Sequence, residues 1–292
     1  MDVRGAETGF SSRLVQGFLG HARLLVPWMN RQSDPKAKKR PNAAVPPLYG
    51  LARILSKWGI CSRTVAETWI RSGRVRVDGR VEPDPDRRHP LQGIRVEVDG
   101  RVVGPVARRV LMLNKPRGYL VTRQDTGDRK TVYDLVPPEP WLFPVGRLDQ
   151  ASSGLLLLAN DPLWAGRILG PGGQVSKTYH VQVSPPLLPE ARSALAAGPA
   201  LDGRCCLPMD IRELRCGGRT QWLEFVLREG RNRQIRRLVA LQQSEVLRLV
   251  RVAIGPLLLG GLRPGEWRWL ADAEVQGLEC SRHDLLSGEK VG

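Results

Sequence analysis

From Gly154 the sequence runs Gly-Leu-Leu-Leu-Leu-Ala-Asn-Asp-Pro162, and this short apolar run restricts what the chain can become. Four consecutive leucines in so brief a stretch are too apolar for an exposed helix. They imply a strand buried on both faces and closed by a turn at Asn160-Asp161-Pro162. Just ahead of it, Gly146 and the polar run 149–153 form a loop that enters this strand and holds the Asp149 side chain on a rigid element beside Arg147. A carboxylate kept ionised by nearby cations can act as a nucleophile. An aspartate in a polar loop also caps helices or folds Asx turns, with an arginine as its surface partner, and spacing alone leaves both roles open.

Charge narrows the partners. The 292-residue chain carries a formal net charge of +16, which fits a polyanion, and nucleic acid is the commonest one. The excess is uneven: residues 1–110 hold 21 Lys and Arg against 10 Asp and Glu, leaving +5 for the rest. Five cysteines, Cys61, Cys205, Cys206, Cys216 and Cys280, form no C-x-x-C pair. With four scattered histidines they argue against a zinc site or a disulfide framework and for a reducing cytoplasm. No apolar run approaches the roughly 18–20 residues of a membrane span, so no membrane association is expected.

Residues 1–47 read as a flexible basic arm ending in Lys36-Ala-Lys-Lys-Arg40 and a Pro-rich stretch. Ser11 to Trp28 is amphipathic and contains arginines, as an organelle transit segment does, whereas Asp2, Glu7 and the lack of a continuous apolar core argue against targeting. Met29 is an alternative start. From 48 to 104 the organisation tightens. Leu51 to Trp58 has helical apolar spacing and stops at Gly59. Ser62 caps a second helix, Arg63 to Arg71, with Val65, Trp69 and Ile70 as the expected inner face and Gly73 as its end. Arg74 to Val81 and Ile94 to Val102 each alternate around an Asp-Gly pair, the signal of a hairpin. Arg53, Lys57, Arg63, Arg71, Arg74 and Arg76 occupy polar positions from which they can lay a cationic face along an RNA backbone.

Beyond the linker Pro105–Arg109, Val110 to Thr122 reads as two strands broken at Lys115-Pro116, with Lys115 placed to grip phosphate or flank a turn. Pro162 to Leu169 looks helical, Lys177 to Val183 alternates like a strand with His180 on the face opposite Tyr179, Pro189 to Gly198 is a weak helix, and 199–228 reads as strands. Leu227-Arg-Glu-Gly-Arg-Asn-Arg-Gln-Ile-Arg-Arg-Leu238 packs five arginines beside an apolar stripe of Ile235, Leu238, Val239 and Leu241, a cationic amphipathic helix start that many RNA-binding proteins share. Strands around Leu249–Leu257 and Leu262–Leu270 follow, and 276–292 reads as a frayed C-terminal tail.

Four of these stretches resemble one family. G-R-L-D-x-x-S-S-G-L-L-L-L-x-N-D is similar to the active-site motif of the pseudouridine synthases, in the branch that acts on ribosomal RNA. N-K-P-x-G around Lys115 resembles its first motif, K-x-Y-x-V at Lys177 its second, and E-G-R-N-R-Q-I-R-R at Glu229 its third. The segment S-R-x-x-A-E-x-x-I-x-x-G-R-V-x-V-D-G from Ser62 is similar to the S-four (alpha-L) type of RNA-binding domain, with Asp78 where that type more often has Asn. The resemblance implies an α+β chain: a small helix-rich RNA-binding domain at 48–104, then a mixed, mainly antiparallel catalytic sheet flanked by helices at 109–275. It implies Asp149 as the catalytic residue, Arg236 in an ion pair with it, Tyr179 against the target base, and Arg147, Lys115 and Arg233 as further substrate contacts, with Arg231 and Arg237 as phosphate contacts. Ahead of Lys177 the family often has a His-Pro pair where this chain reads Leu169-Gly-Pro-Gly-Gly-Gln174. No cofactor and no metal are expected. The implied reaction is isomerisation of a uridine in ribosomal RNA, of the large subunit (23S) rather than the small (16S), by a monomer. A non-catalytic ribosome-assembly factor on the same fold, and an aspartate-dependent hydrolase, are the readings from other classes. The hydrolase leaves the RNA-binding module unexplained.

Overall fold

The computed structural model describes residues 46–123, 125, 127–170 and 175–281. The readings of residues 1–45, of Met29, of the loop 171–174 and of 282–292 lie outside the described residues. The chain from Leu48 folds first into β1 (Leu48–Gly50), α1 (Leu51–Lys57), α2 (Arg63–Arg71), β2 (Val75–Val77), β3 (Arg80–Val81), β4 (Arg88–Pro90), β5 (Val96–Val98) and β6 (Arg101–Val103). The Ser62 hydroxyl accepts from the Val65 amide at 3.1 Å and starts α2 as its sequence implies. β3, β2, β5 and β6 form an antiparallel sheet in that order, and both Asp-Gly turns adopt positive φ at each residue, the geometry of tight hairpins. The inner face of α2 differs from expectation. Ala66 and Ile70 are buried while Val65 is 40% exposed, because the helix packs by its i, i+4 row against α1 and the small sheet.

The larger part follows: β7 (Val110–Lys115), β8 (Phe143–Val145), β9 (Ser153–Ala159), α3 (Pro162–Leu169), β10 (Lys177–Ser184), α4 (Pro189–Ala196), β11 (Ala200–Leu201), β12 (Arg204–Cys205), β13 (Asp210–Cys216), β14 (Gln221–Leu227), α5 (Gln234–Leu241), β15 (Glu245–Ile254), β16 (Leu257–Leu258), β17 (Trp267–Trp269) and α6 (Asp272–Cys280). The main sheet runs β13-β14-β10-β15-β9-β7-β17, with β8 on β9 and β16 on β15. All its pairs are antiparallel except one, β9 with β15. β9 is buried on both faces: Leu155, Leu157 and Ala159 pack with Trp164 and Ile168 of α3, while Leu156 and Leu158 pack with Leu111, Leu113 and Leu142. Each such leucine contributes about 1.5–3 kcal/mol of burial, so this strand anchors both layers.

Three expectations fail here. Beyond Pro116 no second strand forms; only Leu120 bridges to Thr131. α6 runs to Cys280 with Val275 and Leu278 buried against the layer under β9, so the chain stays folded past 276 where a tail was expected. Leu241, assigned to the apolar stripe of α5, is 57% exposed at the last residue of that helix.

Two local devices place the site. At the β9–β15 junction the register pairs Ser153 with Val250 and Gly154 with Arg251. A Cβ on Gly154 would stand 2.2 Å from the Arg251 carbonyl oxygen, and its φ of +104° lies where side chains are strained. The second device is Lys115 at the end of β7. Its fully buried ammonium donates to the carbonyls of Pro116 (3.0 Å), Asp149 (3.2 Å) and Ser152 (2.8 Å). The role of phosphate grip is thereby corrected: the side chain is spent inside, stapling the loop ahead of β9. Burial pushes its pKa down to about 8 while the Asp149 carboxylate acts in the opposite sense.

Gly154→Ala is expected to cost more than about 3 kcal/mol, from positive-φ strain plus an overlap that neither strand can relieve. Gly79→Ala, at a positive φ with open space around it, is expected to cost about 1–2 kcal/mol. Lys115→Met, which removes a buried donor shared by three carbonyls, is expected to cost about 3 kcal/mol. Urea unfolding of the three variants checks all of these values.

Candidate active site

The loop 146–152 is pinned through its backbone. The Gln150 carbonyl accepts from the Gly118 amide at 2.8 Å, and the Gln150 side-chain amide returns a bond to the Gly118 carbonyl at 3.1 Å. The Asp149 carbonyl accepts from Ser152 N at 3.0 Å as well as from Lys115. The Ala151 carbonyl accepts from Arg236 at 3.1 Å. Every carbonyl from 149 to 152 therefore has a partner, and Leu148 beside them is buried. What remains free is the Asp149 carboxylate, which among the described residues takes part in no hydrogen bond or ion pair and lines a cavity of about 230 Å³. A carboxylate fixed by its backbone and left open at its oxygens is available for chemistry.

The cavity lies where β9, β10 and β15 meet the segment leading into α5. Arg147, Tyr179, Arg233 and Arg236 line it together with Asp149, which brings five of the six residues expected at the site into one place; Lys115 is the sixth and sits beneath the loop. Tyr179, half-buried, touches the apolar clusters on both sides of the seam. Arg233, at the left-handed residue that opens α5, is exposed, as is Arg147. His180 lies on the other face of β10 beside Glu224, at 3.4 Å.

The expected ion pair between Arg236 and Asp149 is not formed. The Arg236 guanidinium donates instead to the carbonyls of Val246 (3.0 Å) and Ala151, and its Nε is buried without a partner. Burial lowers its pKa, and the Asp149 charge opposes that. The two groups thus interact through space while the arginine holds the loop. Arg231 and Arg237 are also occupied: the first binds Glu229 and the carbonyls of Arg204 and Cys205, the second binds Asp202 through both arms. Apart from Glu229, two residues away, these acceptors lie more than 25 residues off, where short-range patterning does not register them.

Sequence reasoning passed over Arg251. It sits at the floor of the cavity, 4% exposed, with Nε donating to the Leu155 carbonyl at 2.7 Å, and its alternation with apolar neighbours in β15 was the available signal. Among the described residues no three His, Cys, Asp or Glu side chains gather as a metal site would need.

The N-terminal basic residues divide into two groups. Arg53 and Arg63 line a cleft with Arg88 and Glu67, and Lys57 lies 4.5 Å from the centre of the Tyr49 ring. Arg71 pairs with Glu67 at 3.4 Å, Arg74 binds Asp99 bidentately at 2.8 and 2.5 Å, and Arg76 reaches the Gly79 carbonyl at 3.4 Å. Among the described residues no helix is long and apolar enough to cross a membrane.

Comparison with known proteins agrees with this layout. Residues 109–241 match the RNA pseudouridylate synthase family, and residues 50–88 match the S4 domain. Over 228 residues the chain is 38% identical to an RNA pseudouridine synthase of Aquifex aeolicus, covering 77% of this chain and 92% of that one. It is 36% identical over 247 residues to the ribosomal large subunit pseudouridine synthase B of Haemophilus influenzae, covering 80% and 69%. A crystal structure of a pseudouridylate synthase superposes with a TM-score of 0.57 at 26% identity, over 79% of this chain and 99% of that one. With a mixed sheet carrying the pinned aspartate loop and an RNA-binding module ahead of it, the chain belongs to the RNA pseudouridine synthase family, isomerases that act on RNA.

Proposed function

We propose that the protein converts one specific uridine of ribosomal RNA to pseudouridine, with the 23S RNA of the large subunit as its target, and that it works as a monomer in the cytoplasm. The observation that carries the reading is the Asp149 carboxylate, open to the cavity while its own backbone is held at every carbonyl. The large-subunit synthases of Haemophilus influenzae and Pseudomonas aeruginosa among its relatives support the choice of subunit.

The reaction detaches uracil from C1′ of ribose, turns the base and rejoins it through C5. It consumes no external electrons and no second substrate. Asp149 attacks the substrate, and Arg236 fixes the loop from which it does so while opposing its charge. Tyr179 holds the extruded base, and Arg147 and Arg233 at the mouth meet the phosphates on either side. Extrusion costs a few kcal/mol, which favours a uridine in a loop or strained helix. The module at 48–104 docks the RNA, Arg53, Lys57 and Arg63 offering charges that are less committed to internal partners than those of Arg71 and Arg74.

Transcripts of 23S and 16S RNA carrying tritium at uracil C5 test the reading, since C5 loses its hydrogen when it becomes the glycosidic carbon. Release from the 23S transcript by wild type and none by Asp149→Asn, with RNA binding retained, is the expected outcome. Release from the 16S transcript alone would move the target to the small subunit. Binding without release from either, as naked RNA or in assembly particles, would make the protein a binding factor.

A second expectation concerns docking. Arg53→Ala and Arg63→Ala should each flatten the slope of log affinity against log salt by about one. Arg74→Ala, already paired with Asp99, should change it by less than half as much. Filter binding across a salt series measures all three.

A further inference from the structure

The floor of the cavity carries more positive charge than the steps above use. On β10, Lys177 and Tyr179 are two residues apart and share a strand face, and both line the cavity. Directly opposite Tyr179 on β15 stands Arg251. One guanidinium nitrogen of Arg251 is buried with no partner, while its Nε is tied to Leu155 and so fixes the plane of the group. Neither cation makes an ion pair among the described residues, and the neighbours that complete the floor, Leu157, Ile168 and Ile254, are apolar. Burial lowers the pKa of Lys177, and the adjacent Arg251 lowers it further. Two like charges brought together in an apolar recess without a counter-ion are costly unless the recess receives an electron-rich group.

On the reading that an extruded uridine fills this cavity, we infer that Lys177 and Arg251 cradle the O2 and O4 carbonyl oxygens of the uracil and stabilise the negative charge its ring carries once the bond to ribose breaks. When C1′–N1 cleaves, the electron pair leaves with N1 and spreads through the ring onto O2 and O4. The Asp149 carboxylate takes the place of N1 on C1′; the base then turns, C5 bonds to C1′ and displaces that carboxylate, the proton on C5 departs and N1 takes one up, so the sum is an isomerisation. Between cleavage and recapture the ring is an anion. Fixed donors aimed at its oxygens in a water-poor recess stabilise that state more than neutral bound uridine. Tyr179, between the two cations on the same face, keeps the ring in their plane of reach while it turns.

Lys177 gives the cleaner test, because Arg251 also holds β9 to β15 and its replacement can cost folding. Lys177→Gln should slow single-turnover tritium release about 100-fold with RNA affinity unchanged, and Lys177→Arg should recover most of that loss. Arg251→Lys, which keeps a charge at the same strand position, should retain more activity than Arg251→Gln. With RNA carrying 5-fluorouridine, whose ring bears negative charge more readily, the Lys177→Gln deficit in cleavage of the N-glycosidic bond should shrink to about 10-fold or less. Equal deficits for both bases, a loss confined to RNA affinity, or an unchanged rate would overturn the inference. Wild-type protein that binds the RNA and releases no tritium would instead overturn the synthase reading, and this one with it.

Discussion

The site depends on the close approach of β9 and β15 at Gly154 and Arg251. Only two residue pairs join these strands, and they are the parallel step in an otherwise antiparallel sheet. Because Gly154 has no side chain, the two backbones come within a distance that a Cβ would forbid. That approach sets the loop before β9 beside β10 and the start of α5. Asp149, Tyr179 and Arg236, far apart in sequence, come to line one cavity as a result. It also turns Arg251 inward, where its Nε binds the first leucine of the run that opened the sequence reading.

The second organising fact is electrostatic. The open Asp149 carboxylate acts on Lys115 and Arg236 and shares its cavity with Lys177 and Arg251, and all four cations are at least half withdrawn from water. Lys115 and Arg236 offset part of that cost by donating to loop carbonyls, which exchanges solvation for charge-assisted hydrogen bonds and fixes the loop at the same time. Among the described residues Lys177 has no such acceptor and Arg251 has one for a guanidinium with more to donate. An enzyme that receives a base and must carry its transient charge gains from keeping donors unsatisfied until substrate arrives, at the expense of resting stability. The absence of a direct Arg236–Asp149 pair fits the same balance. A carboxylate locked to a guanidinium at hydrogen-bond distance would be a poorer nucleophile than one whose charge is merely supported from nearby.

Much of this was legible in the sequence. The buried strand, the capped helix at Ser62 and both Asp-Gly hairpins follow from periodicity and turn chemistry, and the grouping of Asp149, Tyr179, Arg147, Arg233 and Arg236 is what the family resemblance implied. Most of the errors share one cause, a partner distant in sequence. Lys115 reads as an ordinary cation beside a proline until the carbonyls of Asp149 and Ser152 are seen around it. Val65 fits a helix face as well as Ala66 does, and only the position of α1 decides between them. The segment after 276 has a weak apolar pattern of its own and is held by burial of Leu278 beneath the main sheet. Arg231 shows as free charge in the sequence, although Glu229 lies only two positions away and the carbonyls at 204 and 205 complete its shell.

The same distant ties connect the RNA-binding module to the chemistry. Asn160, the residue after β9, is buried, and its side chain accepts from the Arg109 amide at 2.8 Å and donates to the Ala107 carbonyl at 3.0 Å. The linker between the two domains is thus clasped by the strand that follows the Asp149 loop. The Val106 amide in turn donates to the Trp58 carbonyl at the end of α1, at 2.8 Å. From α1 through the linker to β9 the chain is tied by backbone and side-chain amide hydrogen bonds. On the proposed function, RNA held by Arg53 and Lys57 on α1 is registered against Asp149 through these bonds. On that same reading the offset between the docking face and the carboxylate contributes to selecting the target uridine, alongside contacts to the base.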